Sequence, residues 1–181
     1  MQALGSYPIT LAGSELQKRN YLPKVASGAA IAAFAITEPE AGSDVASMQT
    51  RAVWRNNKFS ISGTKRFISN AGIADFYVVF ASTAPQKKAK GVSAFIVDAA
   101  TGGIVVREKI AMLSPHPIGV IELDNCIVDE DARLDKEGEG LQIAFATLDL
   151  LRCTVGAAAV GLAQRALGEA VRAWSGAHRR H

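Results

Sequence analysis

Two short segments hold the residues whose types and spacing could do chemistry. In Thr37-Glu38-Pro39-Glu40-Ala41-Gly42-Ser43-Asp44 the chain leaves a strand and turns sharply. Pro39 fixes φ there, and Gly42 is free to bring its backbone close to another group. Such a bend can present backbone N–H groups, with the Thr37 and Ser43 hydroxyls, to an anion such as a pyrophosphate. Taken alone, it reads first as a loop whose Thr, Ser and Asp satisfy their own backbone, since loops of this composition are common. The second segment is the polar turn Gly63-Thr64-Lys65-Arg66-Phe67-Ile68-Ser69-Asn70. Phe67 and Ser69, two residues apart, point to one face of a strand, which suits packing a flat ring and hydrogen-bonding its edge. A core phenylalanine beside a strand-end serine fits the same spacing.

Other chemistry-bearing residues lead less far. Glu38 and Glu40 flank a proline and point apart, as solvated turn carboxylates do, rather than forming an acid and base pair. His116 lies between Pro115 and Pro117 with no second His or Cys at ligand spacing, and His178 and His181 sit in a basic, frayed end, so no metal site is expected. Neither GxGxxG nor GxxxxGK[ST] occurs, so a dinucleotide would need a different architecture from a Rossmann turn or a P-loop.

The elements that must carry these segments change character along the chain. Residues 1–28 read as a helical lead-in: Ser14 and Gln17 form a capping box, and Leu16, Tyr21 and Leu22 a short apolar face before Pro23. From Ala29 the pattern is of short strands: Ile31–Thr37, Thr50–Arg55, Lys58–Ser62, Arg66–Ser69, Phe76–Ser82, Val92–Asp98, Ile104–Glu108 and Val120–Asn125. Asn56-Asn57 predicts a tight hairpin over Val53–Ile61, since Asn tolerates positive φ. No helix of useful length intervenes, which favours antiparallel pairing. After Gly138 and Gly140 one long helix is expected from Leu141 to about Arg172, with Phe145, Leu148, Val155, Leu162 and Ala166 near one face. Its middle, Cys153 to Ala163, is small and apolar on every side. The chain has no other long helix to bury it, so a second subunit or a lost helical bundle is expected to cover it.

Length and composition bound the answer. The chain has 181 residues, 49% hydrophobic and 20% charged, which is a folded composition with room for one domain plus pieces of its neighbours. The net charge of +3 equals the contribution of Arg172, Arg179 and Arg180 alone, and no basic stripe precedes them, so nucleic acid is not an expected partner. Two distant cysteines without CxxC spacing predict buried free thiols in a reducing compartment. No secretion-signal pattern opens the chain, and the longest strongly apolar run is about 11 residues against the ~20 that span a bilayer. A soluble, cytoplasmic protein without a membrane span is expected.

Together the segments resemble the acyl-CoA dehydrogenase family of flavoproteins. The matching text is FAITEPEAGSD at Phe34–Asp44, GTKRFISNAGIADFYVV at Gly63–Val79, GVSAFIVD at Gly91–Asp98, and GEGLQIAFATLDLLRCTVGAAAVGLAQRALGEA at Gly138–Ala170. The lead-in GSELQKRNYLPKVASG is similar to the end of that family's first helical domain. The resemblance covers nearly the whole chain, in the family's order and spacing. It implies an α+β fold: an antiparallel β-barrel-like middle domain (31–136) flanked by a helical remnant (1–30) and the first helix of a C-terminal helical domain (137–181).

It also implies FAD as cofactor, lined by Phe34, Ile36, Thr37, Gly42, Ser43, Phe67, Ile68 and Ser69. The Thr37 hydroxyl would lie near the pyrimidine edge of the flavin and Ser69 near N5, with Ser43 serving the pyrophosphate or the acyl-CoA. Asp149 and Arg152, matching substrate-contacting positions, share a helical face at i and i+3, where a local ion pair is the plain alternative. The implied reaction is α,β-dehydrogenation of an acyl-CoA thioester: a glutamate removes the α-proton and a hydride passes to the flavin, because no side chain accepts one. Electrons leave to an electron-transfer flavoprotein or similar acceptor. The glutamate belongs to the family's C-terminal domain, so no catalytic residue is expected in this chain. The segment from Ala173 to His181 departs from the family pattern and predicts a truncation or altered reading frame, a chain deficient in catalysis, and weak or absent FAD binding by an isolated monomer. A homo-oligomer is implied, and a mitochondrial matrix location if the source is eukaryotic. The competing readings are an acyl-CoA oxidase-like or other CoA-thioester flavoenzyme, and a non-enzymatic β-domain that binds a ligand or oligomerises.

Overall fold

A capping box starts the second helix as the sequence predicts. Ser14 Oγ accepts the Gln17 N–H at 3.2 Å, and the Gln17 side chain accepts the Ser14 N–H at 2.7 Å. The computed structural model describes residues 2–178, with side chains to residue 175. The expectation for the His178 and His181 side chains and for Arg179 and Arg180 lies outside them. Two compact units divide the chain, Met1–Thr147 and Leu148–His181.

The first unit opens with α1 (Gln2–Ala12) and α2 (Glu15–Ala26), followed by β1 (Ala32–Ala35), β2 (Arg51–Arg55), β3 (Lys58–Ser69), β4 (Phe76–Ser82), β5 (Val92–Asp98), β6 (Ile104–Lys109), β7 (Ile118–Asp129) and β8 (Arg133–Leu134). The strands form one sheet in the order β6-β7-β3-β2-β4-β5-β8, with β1 beside β4. The sheet is mixed rather than purely antiparallel: β1 runs parallel to β4 from Ala32↔Phe76 to Ala35↔Val79, and Arg51 of β2 pairs parallel with Ser82. The chain between β1 and β4 supplies the long crossover that a parallel pair needs by making the β2–β3 hairpin instead of a helix. The strands predicted at Lys58–Ser62 and Arg66–Ser69 are one, β3, carried past Gly63 by shifts of register against β7.

Both faces of the sheet are covered. Ile9 and the first turns of the last helix (Leu141, Ile143, Ala144) join Phe34, Phe76, Val78, Phe80 and Ile96 on one side. On the other, Tyr77, Val79, Phe95 and Val97 meet Phe59, Ile61, Ile121 and Leu123 as the sheet curls on itself. Burial on both faces accounts for the unbroken apolar text of β4 and β5. Leu16 departs from its predicted apolar face: it is 63% exposed, while Tyr21 and Leu22 pack on the first cluster. Pro23 sits inside α2 rather than ending it.

The Asn56-Asn57 hairpin forms as predicted, with φ of 52° and 60°. Because a Cβ without a local hydrogen-bonding group costs about 1–2 kcal/mol in this conformation, Asn57→Ala should lower the urea midpoint accordingly and Asn57→Gly should not.

The helix α3 (Gly140–His178) begins in the first unit and makes up the described part of the second. In the second unit Val155, Val160, Leu162 and Leu167 are exposed, and Cys153 is exposed where a buried thiol was expected; Cys126 is buried in the sheet core, which pushes its thiol pKa up. The segment Gly140–Ser175 is long and apolar enough to cross a membrane by length and composition alone. Counting only the uninterrupted small-residue run understated it, because apolar turns continue on both sides of Arg152.

Candidate functional site

The two bends meet. Where β1 ends, Ile36 turns into the core and Thr37 lies half-buried with its carbonyl accepting the Arg66 N–H at 2.8 Å. The first bend then closes on itself, Glu38 and Ala41 exchanging backbone hydrogen bonds at 3.1 and 3.3 Å. The second bend is a β-bulge. Lys65 pairs with Ile121 and Ile68 with Gly119, so β3 spends one residue more than β7 over that span. Phe67 sits in the bulge at φ 58° and is thrown outward, 54% exposed, while Ile68 turns into the core. The bulge interrupts the alternation that would have placed Phe67 and Ser69 side by side. The Arg66 guanidinium lies 5.0 Å from the Phe67 ring centroid, and its buried Nε has no hydrogen-bond partner.

What joins the bends is a buried ion pair. Glu38 Oε1 accepts from Lys65 Nζ at 2.8 Å and from the Thr50 N–H at 3.0 Å, and Oε2 accepts from the Gln49 N–H. Lys65 Nζ also donates to the Ile36 carbonyl at 3.1 Å. The two side chains are 3% and 0% exposed. Glu38 is thus no solvated turn carboxylate, although Glu40 is exposed and the two do point apart. Burial pushes the Glu38 carboxyl up, but Lys65 and the donated hydrogen bonds outweigh it and hold it below the usual range; burial pulls the Lys65 ammonium down to about 8 against the pull of Glu38.

The remaining predicted residues divide by accessibility. Phe34, packed 4.8 Å from the Phe80 centroid, and Ile36 lie in the helix-side core and Ile68 in the cluster on the opposite face, so all three are buried rather than open to a ligand. Gly42 and Ser43 are exposed, and a Cβ on Gly42 would meet nothing within 4 Å. Ser69 is half-buried, its Oγ 2.9 Å from His116 Nε2. Asp149 and Arg152 belong to the second unit and form an ion pair there on an exposed helix face. The sequence reading gave Lys65 and Arg66 no role of their own within the second segment and weighed His116 only as a metal ligand. A lysine in a strand flanked by core residues was the available signal for the first; the other two owe their place to a bulge and to a strand pairing.

A family model described as acyl-CoA dehydrogenase, middle domain, matches residues 33–126, which span both bends and the sheet around them. The chain belongs to the acyl-CoA dehydrogenase family. It is 44% identical over 171 residues to an acyl-CoA dehydrogenase of Bacillus subtilis, covering 93% of this chain and 45% of that one. Butyryl-CoA dehydrogenase of Megasphaera elsdenii superposes with a TM-score of 0.89 at 35% identity, over 94% of this chain and 45% of that one. PigA, solved with FAD and proline, does so at 0.78 and 35%, over 81% of this chain and 39% of that one. The chain spans about 45% of the length of the curated acyl-CoA dehydrogenase it matches. The fold shared with these flavoproteins is the α+β arrangement described above.

Proposed function

We propose that this chain supplies the flavin-holding middle part of an enzyme that removes hydrogen from the α and β carbons of an acyl-CoA thioester. The observation that carries the reading is the Thr37–Arg66 hydrogen bond of 2.8 Å, which brings two hydroxyl-bearing bends to one rim. FAD fits what that rim offers: an outward Phe67 ring to pack on, a buried Arg66 Nε still lacking an acceptor, and the half-buried Thr37 and Ser69. Thr37 and Arg66 would serve the carbonyl-rich edge of the isoalloxazine and Ser69 its central ring, with Ser43 reaching toward phosphate. When bound, FAD supplies the hydride acceptor that no side chain provides. This chain's residues bind and orient the ring, and the exposed Phe67 face keeps water from one side of it.

The division into 1–30, 31–136 and 137–181, the acyl-CoA contacts of Asp149 and Arg152, an electron-transfer flavoprotein as acceptor, a homo-oligomeric state and a cytoplasmic location belong to the same proposal. So does a helical partner for the exposed apolar positions of α3. Titrating the full chain with FAD, followed by quenching of flavin fluorescence, tests it. Weak but saturable binding is expected, in keeping with the weak binding the sequence predicts for an isolated monomer, and Phe67→Ala should weaken it further by roughly fivefold or more, as loss of one aromatic packing contact of about 1 kcal/mol implies. Absence of saturable binding, or equal binding by Phe67→Ala, contradicts it.

A further inference from the structure

Ser69 has a neighbour that the proposed reaction does not use. His116 stands two residues before β7, and its Nε2 lies 2.9 Å from Ser69 Oγ. The contact is built from several sides. The Pro117 carbonyl accepts the Asn70 N–H at 2.8 Å, the Ile118 carbonyl accepts the Ile110 N–H at 2.9 Å, and Ser69 itself pairs with Ile118 across the β3–β7 ladder. The flanking Pro115 and Pro117 fix their own φ and hold Ser114 and His116 away from helical backbone. A loop restricted in this way loses little further freedom when it holds an imidazole at one place.

A serine hydroxyl carries one proton and two lone pairs, and left alone it rotates among them. An imidazole nitrogen at hydrogen-bond distance removes that freedom. When Nε2 carries its proton it donates to Ser69 Oγ, and the hydroxyl proton is directed outward. When the proton resides on Nδ1, Nε2 accepts the hydroxyl proton and a lone pair of Ser69 is directed outward instead. The pair therefore offers a donor or an acceptor from one fixed atom.

We propose that His116 is a positioning residue that sets the orientation of the Ser69 hydroxyl toward the bound ring. The proposal rests on the reading that this rim holds FAD and deepens it. The N5 atom of an isoalloxazine is an acceptor in the oxidised ring and a donor in the reduced one, and the two neutral tautomers of His116 let Ser69 serve either. The step balances in protons and leaves every C–N and C–O bond in place: the imidazole gives the proton on one ring nitrogen to solvent and takes one from solvent on the other at its half-buried edge, and the hydroxyl turns. The two tautomers differ in energy where one ring nitrogen faces Ser69 and the other does not, so His116 favours one redox form over the other, whereas a residue that only propped the loop would affect both alike.

The test has two arms. The first needs no flavin: ring ¹⁵N spectra of histidine in the full chain, compared with Ser69→Ala. The variant is expected to shift the His116 Nε2 signal and its tautomer balance, and an unchanged signal overturns the proposal. In the second arm the full chain is titrated with FAD and the bound flavin's midpoint potential is measured. His116→Ala is expected to weaken binding of one redox form roughly three- to tenfold, the range for one hydrogen bond. A threefold change in the ratio of affinities for the two forms corresponds to about 14 mV for a two-electron couple. His116→Gln, which keeps a donor and acceptor near the Nε2 position, is expected to restore most of the potential, and His116→Ala with Ser69→Ala should move it no further than Ser69→Ala alone. If FAD binds and only Ser69→Ala moves the potential, the His116 role is overturned while the flavin reading stands. If the unmodified chain takes up no FAD, the flavin reading fails and this inference falls with it.

Discussion

Glu38→Gln is expected to destabilise the first unit by about 3–5 kcal/mol, the cost of breaking a buried ion pair from one side. The substitution keeps shape and removes charge. Glu38 accepts from three donors, the Lys65 ammonium and the Gln49 and Thr50 N–H groups. A glutamine presents one oxygen and one NH2 to them, so at least one donor faces a donor. Lys65 is meanwhile 0% exposed and keeps only the Ile36 carbonyl as a full partner. Thermal melting of the full chain should fall by about 6–20 °C, at 2–4 °C per kcal/mol for a domain of this size. Glu38→Leu with Lys65→Met together should recover only part of that loss, because removing both charges removes their desolvation penalty but leaves the buried Thr50 N–H without an acceptor and the Ile36 carbonyl without its donor. A Glu38→Gln protein melting within a degree or two of the parent would show that the pair does not hold the bends.

The same pair sets a pH dependence with a definite sign. Glu38 titrates below its ordinary 4.5 in the folded chain, so its contribution is complete above that value and is lost as pH falls through the folded value. The gap in stability between parent and Glu38→Gln should accordingly close in acid. Lys65 acts in the opposite range. With a folded value of about 8 against 10.5 unfolded, the unfolded chain binds more protons between them, and stability from this group rises as pH climbs through that window.

Features fixed by neighbouring residues were legible before any coordinates. The Ser14–Gln17 box, the Asn56-Asn57 turn and the β4 and β5 strands each follow from local chemistry, and each is present; that both faces of β4 and β5 are buried was not read from their unbroken apolar text. Features fixed by distant partners were not. Glu38 reads as a turn carboxylate until Lys65, 27 residues on, is brought against it. The parallel pairing of β1 with β4 joins residues more than 40 positions apart and leaves no mark in the alternation of either strand. The bulge at Phe67 is hidden for a related reason: polar Thr64-Lys65-Arg66 after a glycine has the composition of a turn, and only pairing with β7 keeps it in the ladder. At the site, the hydroxyls and the aromatic were visible as residue types, whereas the meeting of the two bends that carry them required the Thr37–Arg66 bond.

Gly63→Ala should be nearly as damaging as the loss of Glu38, and for a reason that ties the bulged strand to the same carboxylate. Gly63 has φ 153°, and a Cβ there would lie 2.4 Å from Thr50 Oγ1 and 2.6 Å from Thr50 Cα. The obstacle is backbone, so rotating a side chain does not clear it. Thr50 is held on both sides, its N–H on Glu38 at 3.0 Å and its carbonyl accepting the Ser82 N–H at 2.9 Å. Backbone strain of about 1–3 kcal/mol and overpacking of about 1–3 kcal/mol give an expected loss of about 2–6 kcal/mol. Relief has one direction, displacement of Thr50 away from β3, which pulls its N–H off Glu38. Amide hydrogen exchange should therefore quicken at Gln49 and Thr50 beyond the general loss of protection. Gly42→Ala supplies the contrast, since a Cβ there meets nothing within 4 Å and its melting temperature should stay close to that of the parent. Equal tolerance of both alanines would mean that β3 gives way more easily than a strand paired along its length with β7 should.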